Sequence, residues 1–272
     1  MSKKIRPIIL AGGVGKRLWP LSTKYNPKQF IPIFQDLSLF DLTLQRANNS
    51  LFKKPIVVTS KKYLKQVSKA FERTGLKPSL IVLEPESKNT YSAITLAALL
   101  SNEELGKDKL IIMPSDHYIS NNMNFYQACK KALKEDKESL YLLGIKPEYA
   151  SSEYGYIRLI EGSSKKIEFI EKPTAKKVKD LLASNNVYWN SGIFIFGKSW
   201  FINKSRQSDP SLFKKIDSSV RKGTQEGNLF YPENISFSSI EPISFDYGFV
   251  EKCEDISMIK LDAGWSDLGS WV

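Results

Sequence analysis

The first half of the chain alternates short apolar runs with longer mixed stretches. Residues 7–11, 55–60, 79–84, 110–114 and 140–145 are rich in Ile, Val and Leu and lack polar alternation. Runs of that length read as strands buried on both faces. Between them, residues 61–73, 90–104 and 125–134 carry helical character, the second of them rich in Ala and Leu. A strand first, then strands separated by helices, predicts an α/β fold. We expect a doubly wound, mostly parallel, Rossmann-like sheet with helices on both faces. After about residue 149 the pattern changes. Residues 154–160 and 167–170 read as neighbouring strands joined by a polar turn at 161–165. Residues 188–196 read as a further strand with a polar insertion, Asn190-Ser191-Gly192. Helices are expected at 176–183, 199–205 and 211–220. This half reads as a smaller mixed β lobe. The expectation is one domain over residues 1–272, with lobes of about 1–150 and 151–272.

Composition narrows the picture. The chain has 272 residues, 42% of them hydrophobic, enough for one substantial core. The net charge is +11, but the lysines are spread along the chain and form no block, so the charge reads as a solvated surface and no nucleic-acid partner is expected. Cys129 and Cys253 lie far apart without C-x-x-C spacing, which supports neither a disulfide framework nor a zinc site. His117 is the single histidine, so any metal must be held mainly by oxygen, which points to Mg²⁺. No signal-peptide core follows the N-terminus, and the longest apolar run, 94–100, is too short to span a membrane. These features predict a soluble, cytoplasmic protein without a membrane partner. Self-association into a homo-oligomer is left open.

The most informative stretch follows the first strand: Leu10-Ala-Gly-Gly-Val-Gly-Lys-Arg-Leu-Trp-Pro20. Glycines there let backbone N–H groups approach phosphates, and a following helix N-terminus favours anions. A Walker A loop fails, because Arg17 stands where Ser or Thr is needed and Leu10 where the first Gly is needed. A dinucleotide fingerprint fails, because Leu18 replaces its third Gly. What remains is a loop of Ala11, Gly12, Gly13 and Gly15 with two cations, Arg17 and Lys28. Cations without a general base suit phosphoryl-type transfer, where the nucleophile is already a phosphate oxygen. Asp116 closes the strand 110–114, at the strand end where open α/β sheets bind ligands. Asp267 lies in a glycine-punctuated turn. Two such carboxylates from distant parts of the chain suit one Mg²⁺ shared with substrate phosphates. The plain alternative for each is a cap or turn residue.

The ordered set of motifs resembles the sugar nucleotidyltransferase family. It runs through Gly12-Gly-Val-Gly-Lys-Arg-Leu-Trp-Pro-Leu-Ser22, Pro27-Lys-Gln-Phe30, Glu84-Pro85 with Asn89-Thr90, Pro114-Ser-Asp-His117, Tyr154-Gly-Tyr-Ile157, Glu171-Lys-Pro173, Trp189-Asn-Ser-Gly-Ile-Phe194, Ser244-Phe-Asp-Tyr247 and Gly264-Trp-Ser-Asp-Leu-Gly-Ser-Trp271. The Trp-Pro-Leu-Ser version is similar to that of mannose-1-phosphate guanylyltransferases. The resemblance implies GTP and mannose 1-phosphate as substrates, and Asp116 and Asp267 as metal aspartates. It implies Lys172 as the holder of the sugar phosphate, with Gly155, Glu171, Asn190 and Asp246 at the sugar. It places Glu84, Asn89 and Thr90 at the purine base, and makes the two lobes nucleotide-binding and sugar-phosphate-binding in turn. His117 is expected to line the site without acting as a catalyst. Val14, Lys16, Tyr91 and Ser92 depart from the family's usual residues near the nucleotide. Another base or sugar, or a non-catalytic nucleotide-sugar-binding homologue, stays open as an alternative. Relatives usually continue past this point, often into a β-helix or a cupin-like isomerase domain; no residue here points to an isomerase activity.

Overall fold

The computed structural model describes residues 3–13, 22–23, 25–34, 36–102, 109–160 and 167–268. Among them, eleven strands form one sheet. In chain order these are β1 (Ile5–Leu10), β2 (Ile56–Ser60), β3 (Leu80–Glu84), β4 (Lys109–Pro114), β5 (Leu140–Ile145), β6 (Tyr156–Leu159), β7 (Ile167–Ile170), β8 (Val187–Gly197), β9 (Thr224–Glu226), β10 (Leu229–Tyr231) and β11 (Ile256–Lys260). Strands β4, β1, β2, β3 and β10 lie side by side and parallel. The chain therefore starts in the middle, winds outward through β2 and β3, and returns to the other side of β1 with β4.

The helices α1 (Leu39–Ala47), α2 (Leu64–Thr74), α3 (Asn89–Leu100), α4 (Asn122–Lys134), α5 (Ala175–Leu182), α6 (Lys198–Ser208) and α7 (Pro210–Arg221) cover both faces. Ile5 and Ile9 of β1 pack with Phe40, Leu44, Val67 and Phe125, from α1, α2 and α4. Ile8 points the other way and packs with Ile94, Phe201, Leu212 and Ile216, from α3, α6 and α7. The period of two along β1 thus feeds two cores. Two short helices, α8 (Asn234–Ser238) and α9 (Phe245–Gly248), complete the second face. Phe245 and Phe249 stack there at 5.1 Å between ring centroids. No helix among the described residues is long and apolar enough to cross a membrane.

The doubly wound expectation holds, with one difference of detail. β5 does not extend the parallel run. The antiparallel strand β8 lies between β4 and β5, and β11 pairs parallel with β5 at the far edge. Every residue of β5 is buried, and burial on both faces produces an apolar run whatever the direction of the neighbours. β6 and β7 are neighbours as expected and pair antiparallel, with β6 bordering the first residues of β8.

Helix α1, which the hydrophobic pattern does not predict, is fixed by a capping box. The Ser38 hydroxyl accepts from the Asp41 N–H, and the Asp41 carboxylate accepts from the Ser38 N–H at 2.9 Å.

Candidate active site

The site begins where winding reverses. Leu10, at the end of β1, sits beside Pro114, at the end of β4. The chain leaves these two neighbours in opposite directions, which opens a crevice at the carboxyl ends of the strands. Ala11 N–H donates to the Val58 carbonyl at 2.8 Å, and the Ala11 carbonyl accepts from the Thr59 hydroxyl at 2.9 Å. Gln29 donates its side-chain amide to the Gly13 carbonyl at 2.8 Å. The short 3-10 turn Lys28–Phe30 that carries Gln29 is thereby folded back against the glycine turn. Gly15 and Arg17 lie outside the described residues.

A cavity of about 210 Å³ opens there, lined by Gly12, Gly13, Gln29, Glu84, Asn89, Thr90 and Asp116 among others. Glu84 is 5% exposed and its Oε1 has no hydrogen-bond partner. Burial pushes its carboxyl up to about 8. A buried, unpartnered carboxyl at the mouth of a crevice is a ligand-facing group before it is a structural one. Asn89 sits in the left-handed region, with φ of 67°, and its side-chain oxygen accepts from the Thr90 N–H. The Thr90 hydroxyl oxygen accepts from the Phe245 N–H at 2.8 Å, tying the start of α3 to α9.

A second cavity, of about 430 Å³, meets the first at Asp116. It is lined by Lys28, Asp116, His117, Tyr154, Gly155, Glu171, Asn190, Gly192, Asp246, Trp265 and Asp267 among others. The polar insertion in β8 builds much of it. Asn190 pairs with Gly144 and Phe194 with Leu142, so four steps on β8 face two on β5. The surplus residues loop out as a bulge, with Gly192 at φ of 70°. Asn190 is held on both ends of its amide. Its Oδ1 accepts from the Gly192 N–H at 3.1 Å, and its Nδ2 donates to Asp246 Oδ1 at 2.8 Å. Glu171 closes over Gly155. A Cβ on Gly155 would stand 2.6 Å from Glu171 Oε2, so glycine lets the carboxylate approach the backbone. Burial, and then the charge of Asp246, push Glu171 up to about 7. Asp246 is raised as well, chiefly by burial. Lys172 follows at φ of 39°, an uncommon backbone for a residue with a side chain, and its ammonium is 3.8 Å from Glu171 Oε1.

Asp116 and Asp267 come together through a small ribbon. Tyr118–Ile119 pairs antiparallel with Trp265–Ser266, so the segment after Asp116 lies against the segment before Asp267. Lys28, 4% exposed, donates to the Asp267 carbonyl and stands 3.7 Å from Asp116 Oδ2. Tyr154 donates its phenol to Asp267 Oδ1 at 2.8 Å. His117 accepts from the Trp265 indole N–H through Nδ1, and burial lowers its pKa, which favours the neutral ring. The donor set suits a hard cation: two carboxylates with oxygen only, in a cavity open to further oxygen ligands. Groups of three or more His, Cys, Asp or Glu placed to hold a metal are absent among the described residues.

Of the residues expected from sequence, Gly12, Gly13, Glu84, Asn89 and Thr90 line the first cavity. Lys28, Gly155, Glu171, Asn190, Asp246 and Asp267 line the second, and Asp116 lines both. Ala11 anchors the turn, and Lys172 stands beside Glu171. Gln29, Tyr154 and Trp265 received no role from sequence. All three lie inside the quoted motifs, but their roles depend on partners remote in the chain.

The chain matches the family described as Nucleotidyl transferase over residues 6–272. It is 35% identical to the Xanthan biosynthesis protein XanB of Xanthomonas campestris pv. campestris (strain B100) over 270 residues, 98% of this chain and 58% of the relative. It is 34% identical to a mannose-1-phosphate guanylyltransferase of Sinorhizobium fredii over 278 residues, covering 100% of this chain and 54% of the relative. The chain thus spans a little over half the length of these curated relatives. Among solved structures, a mannose-6-phosphate isomerase from Helicobacter pylori superposes with a TM-score of 0.84 at 30% identity, over 97% of this chain and 99% of that one.

Proposed function

Because the chain belongs to the nucleotidyl transferase family, we propose that it transfers GMP from GTP to α-D-mannose 1-phosphate, giving GDP-mannose and pyrophosphate. The observation that carries this reading is the pair of cavities meeting at Asp116, with the buried Lys28 ammonium at the seam. A reaction that joins a nucleotide to a sugar phosphate needs both bound at once, with their phosphates side by side.

In the proposed step an oxygen of the sugar phosphate attacks the α-phosphorus in line. That bond forms as the bond to pyrophosphate breaks, and no proton has to move. The chain's contribution is positioning and charge. The glycine turn presents backbone to the phosphates, Lys28 and Arg17 offset the charge of the departing pyrophosphate, and Lys172 orients the attacking phosphate. Asp116 and Asp267 would hold Mg²⁺, which when bound neutralises phosphate charge. Glu171, Asp246 and Asn190 meet the sugar hydroxyls. The Xanthomonas relative's name points to polysaccharide assembly as the consumer of the product.

The guanine reading rests on Glu84. A carboxylate accepts two parallel N–H bonds, and guanine offers N1–H and the 2-amino group side by side. Such an edge favours the ionised carboxylate, whose pKa without ligand stands at about 8. Binding must then expel a proton below that pH. The apparent GTP affinity should tighten by up to about tenfold per pH unit as pH rises from 6.5, and level off above about 8. Glu84→Gln should weaken GTP binding about tenfold or more, the worth of one bidentate base contact, and flatten that pH profile relative to the parent. GTP titrations of both proteins at several pH values check this. Equal slopes would remove Glu84 from the base.

Gly155→Ala should act on the sugar side. The new methyl would stand 2.6 Å from the Glu171 carboxylate and 3.0 Å from the Phe169 ring, so the carboxylate must swing away and the ring must give slightly. KM for mannose 1-phosphate is expected to rise about tenfold, the cost of one hydrogen bond to a charged group, with KM for GTP unchanged. Steady-state kinetics with each substrate varied in turn test the asymmetry.

The reading itself is tested by a panel of nucleoside triphosphates and sugar 1-phosphates, scored by pyrophosphate release with and without Mg²⁺. GTP with mannose 1-phosphate should dominate. The Helicobacter protein's name carries a different activity, so mannose 6-phosphate isomerisation belongs in the same panel. Binding of GDP-mannose without any pyrophosphate release would favour a non-catalytic homologue.

A further inference from the structure

The carboxylate of Asp267 stands on a segment with little regular structure of its own. The ribbon ends at Ser266, and Leu268 sits at φ of 45°. A short acidic side chain at such a place is oriented by what it touches. Lys28 holds the Asp267 carbonyl, and the phenol of Tyr154 holds Oδ1 at 2.8 Å.

Tyr154 is itself fixed on its ring and its hydroxyl. Its ring packs against Trp189 at 5.0 Å and Trp265 at 5.6 Å between centroids. Its oxygen lies 3.1 Å from the Tyr149 hydroxyl. A carboxylate is acceptor-only, so the Tyr154 proton points to Asp267 and the Tyr154 oxygen accepts from Tyr149. The chain of bonds runs one way: Tyr149 to Tyr154 to Asp267. It starts at a ring that is 57% exposed and ends at a carboxylate lining the larger cavity. A carboxylate has about four lone-pair sites, so a donated phenol proton and a bound cation fit on it together.

We infer that Tyr154 is a positioning residue that sets the orientation of the Asp267 carboxylate for a divalent cation. The inference rests on the proposed nucleotidyl transfer. Hydrogen-bond donors behind metal carboxylates typically contribute 10- to 100-fold to metal affinity. Tyr154→Phe keeps the ring against both tryptophans and removes only the hydroxyl, the donor to Asp267 and the acceptor from Tyr149.

The test is a titration of the full chain with Mn²⁺ in the presence of GTP, read as loss of the free Mn²⁺ spin-resonance signal. Tyr154→Phe should raise the Mn²⁺ dissociation constant about tenfold or more. The thermal midpoint should stay in place, and turnover should recover toward the parent value as Mg²⁺ is raised. Tyr149→Phe, one bond further out, should give a smaller loss in the same direction. A Tyr154→Phe dissociation constant within twofold of the parent overturns the inference, and so does a turnover loss that no Mg²⁺ concentration reduces. Should Tyr154→Phe not fold, an unchanged Mn²⁺ affinity in Tyr149→Phe overturns it instead. A parent protein that binds Mn²⁺ but releases no pyrophosphate would sink the nucleotidyl-transfer reading while leaving the Mn²⁺ comparison intact.

Discussion

Lys28→Ala is expected to lower kcat by on the order of 100-fold or more, with a much smaller change in either KM. The ammonium is buried at the seam of the two cavities, 3.7 Å from Asp116 and bonded to the Asp267 carbonyl. In water a single surface cation contributes little to a phosphate reaction. In a site screened from solvent, preorganised charge aimed at the developing negative charge is worth about 3–4 kcal/mol. Lys28→Arg should not restore the rate, because a planar fork does not replace a compact ammonium in a buried slot. Pyrophosphate release at saturating substrates measures the effect. A kcat within threefold of the parent would show that the charge at the seam is not used in the chemistry.

The largest stability effect is expected far from the chemistry, at Asp41. Its carboxylate is fully buried and accepts from the Ser38 N–H at 2.9 Å, the Ser38 hydroxyl at 2.6 Å and Arg73 at 2.9 Å. Arg73 is 45% exposed at its side chain, so the ion pair itself contributes modestly. The cap and the hydrogen bonds to a buried charge contribute more. Asp41→Ala should cost about 3–4 kcal/mol and lower the thermal midpoint by roughly 6–15 °C for a domain of this size. Asp41→Asn, which keeps an acceptor for Ser38, should cost about half as much. Thermal unfolding of the three proteins followed by circular dichroism checks the order. Equal midpoints for Asp41→Ala and the parent would mean that α1 is held by packing alone.

Much of the parallel core was legible in the sequence. The runs that became β1 to β4 announce themselves because each is buried on both faces, and a strand–helix alternation that begins with a strand implies the reversal of winding at β1. The place of β5 was not legible, since a fully buried strand carries no mark of which way its neighbours run, and an antiparallel strand stands between it and β4. The insertion Asn190-Ser191-Gly192 was visible as polar residues in an apolar strand. That it forms a bulge aiming Asn190 at Asp246 required the pairing with β5. Lys28, Asp116 and Asp267 were legible as charge types that suit phosphate and metal. Gln29 and Tyr154 were not, because each acts through a partner distant in sequence: Gly13, 16 residues away, and Asp267, 113 residues away. Helix α1 has its cap, Ser38 with Asp41, plain in the sequence, but no apolar period marks it. Its apolar residues crowd together at 39, 40, 42 and 44 and obscure the helical period.

The two cavities that meet at Asp116 are expected to hold the two halves of one product. The most direct measurement is a crystal structure of the chain soaked with GDP-mannose. The base should lie against Glu84, the pyrophosphate bridge beside Lys28 and Asp116, and the hexose between Glu171 and Asn190. A nucleotide-sugar bound with its base in the cavity of Glu171, or bound away from both cavities, would contradict it.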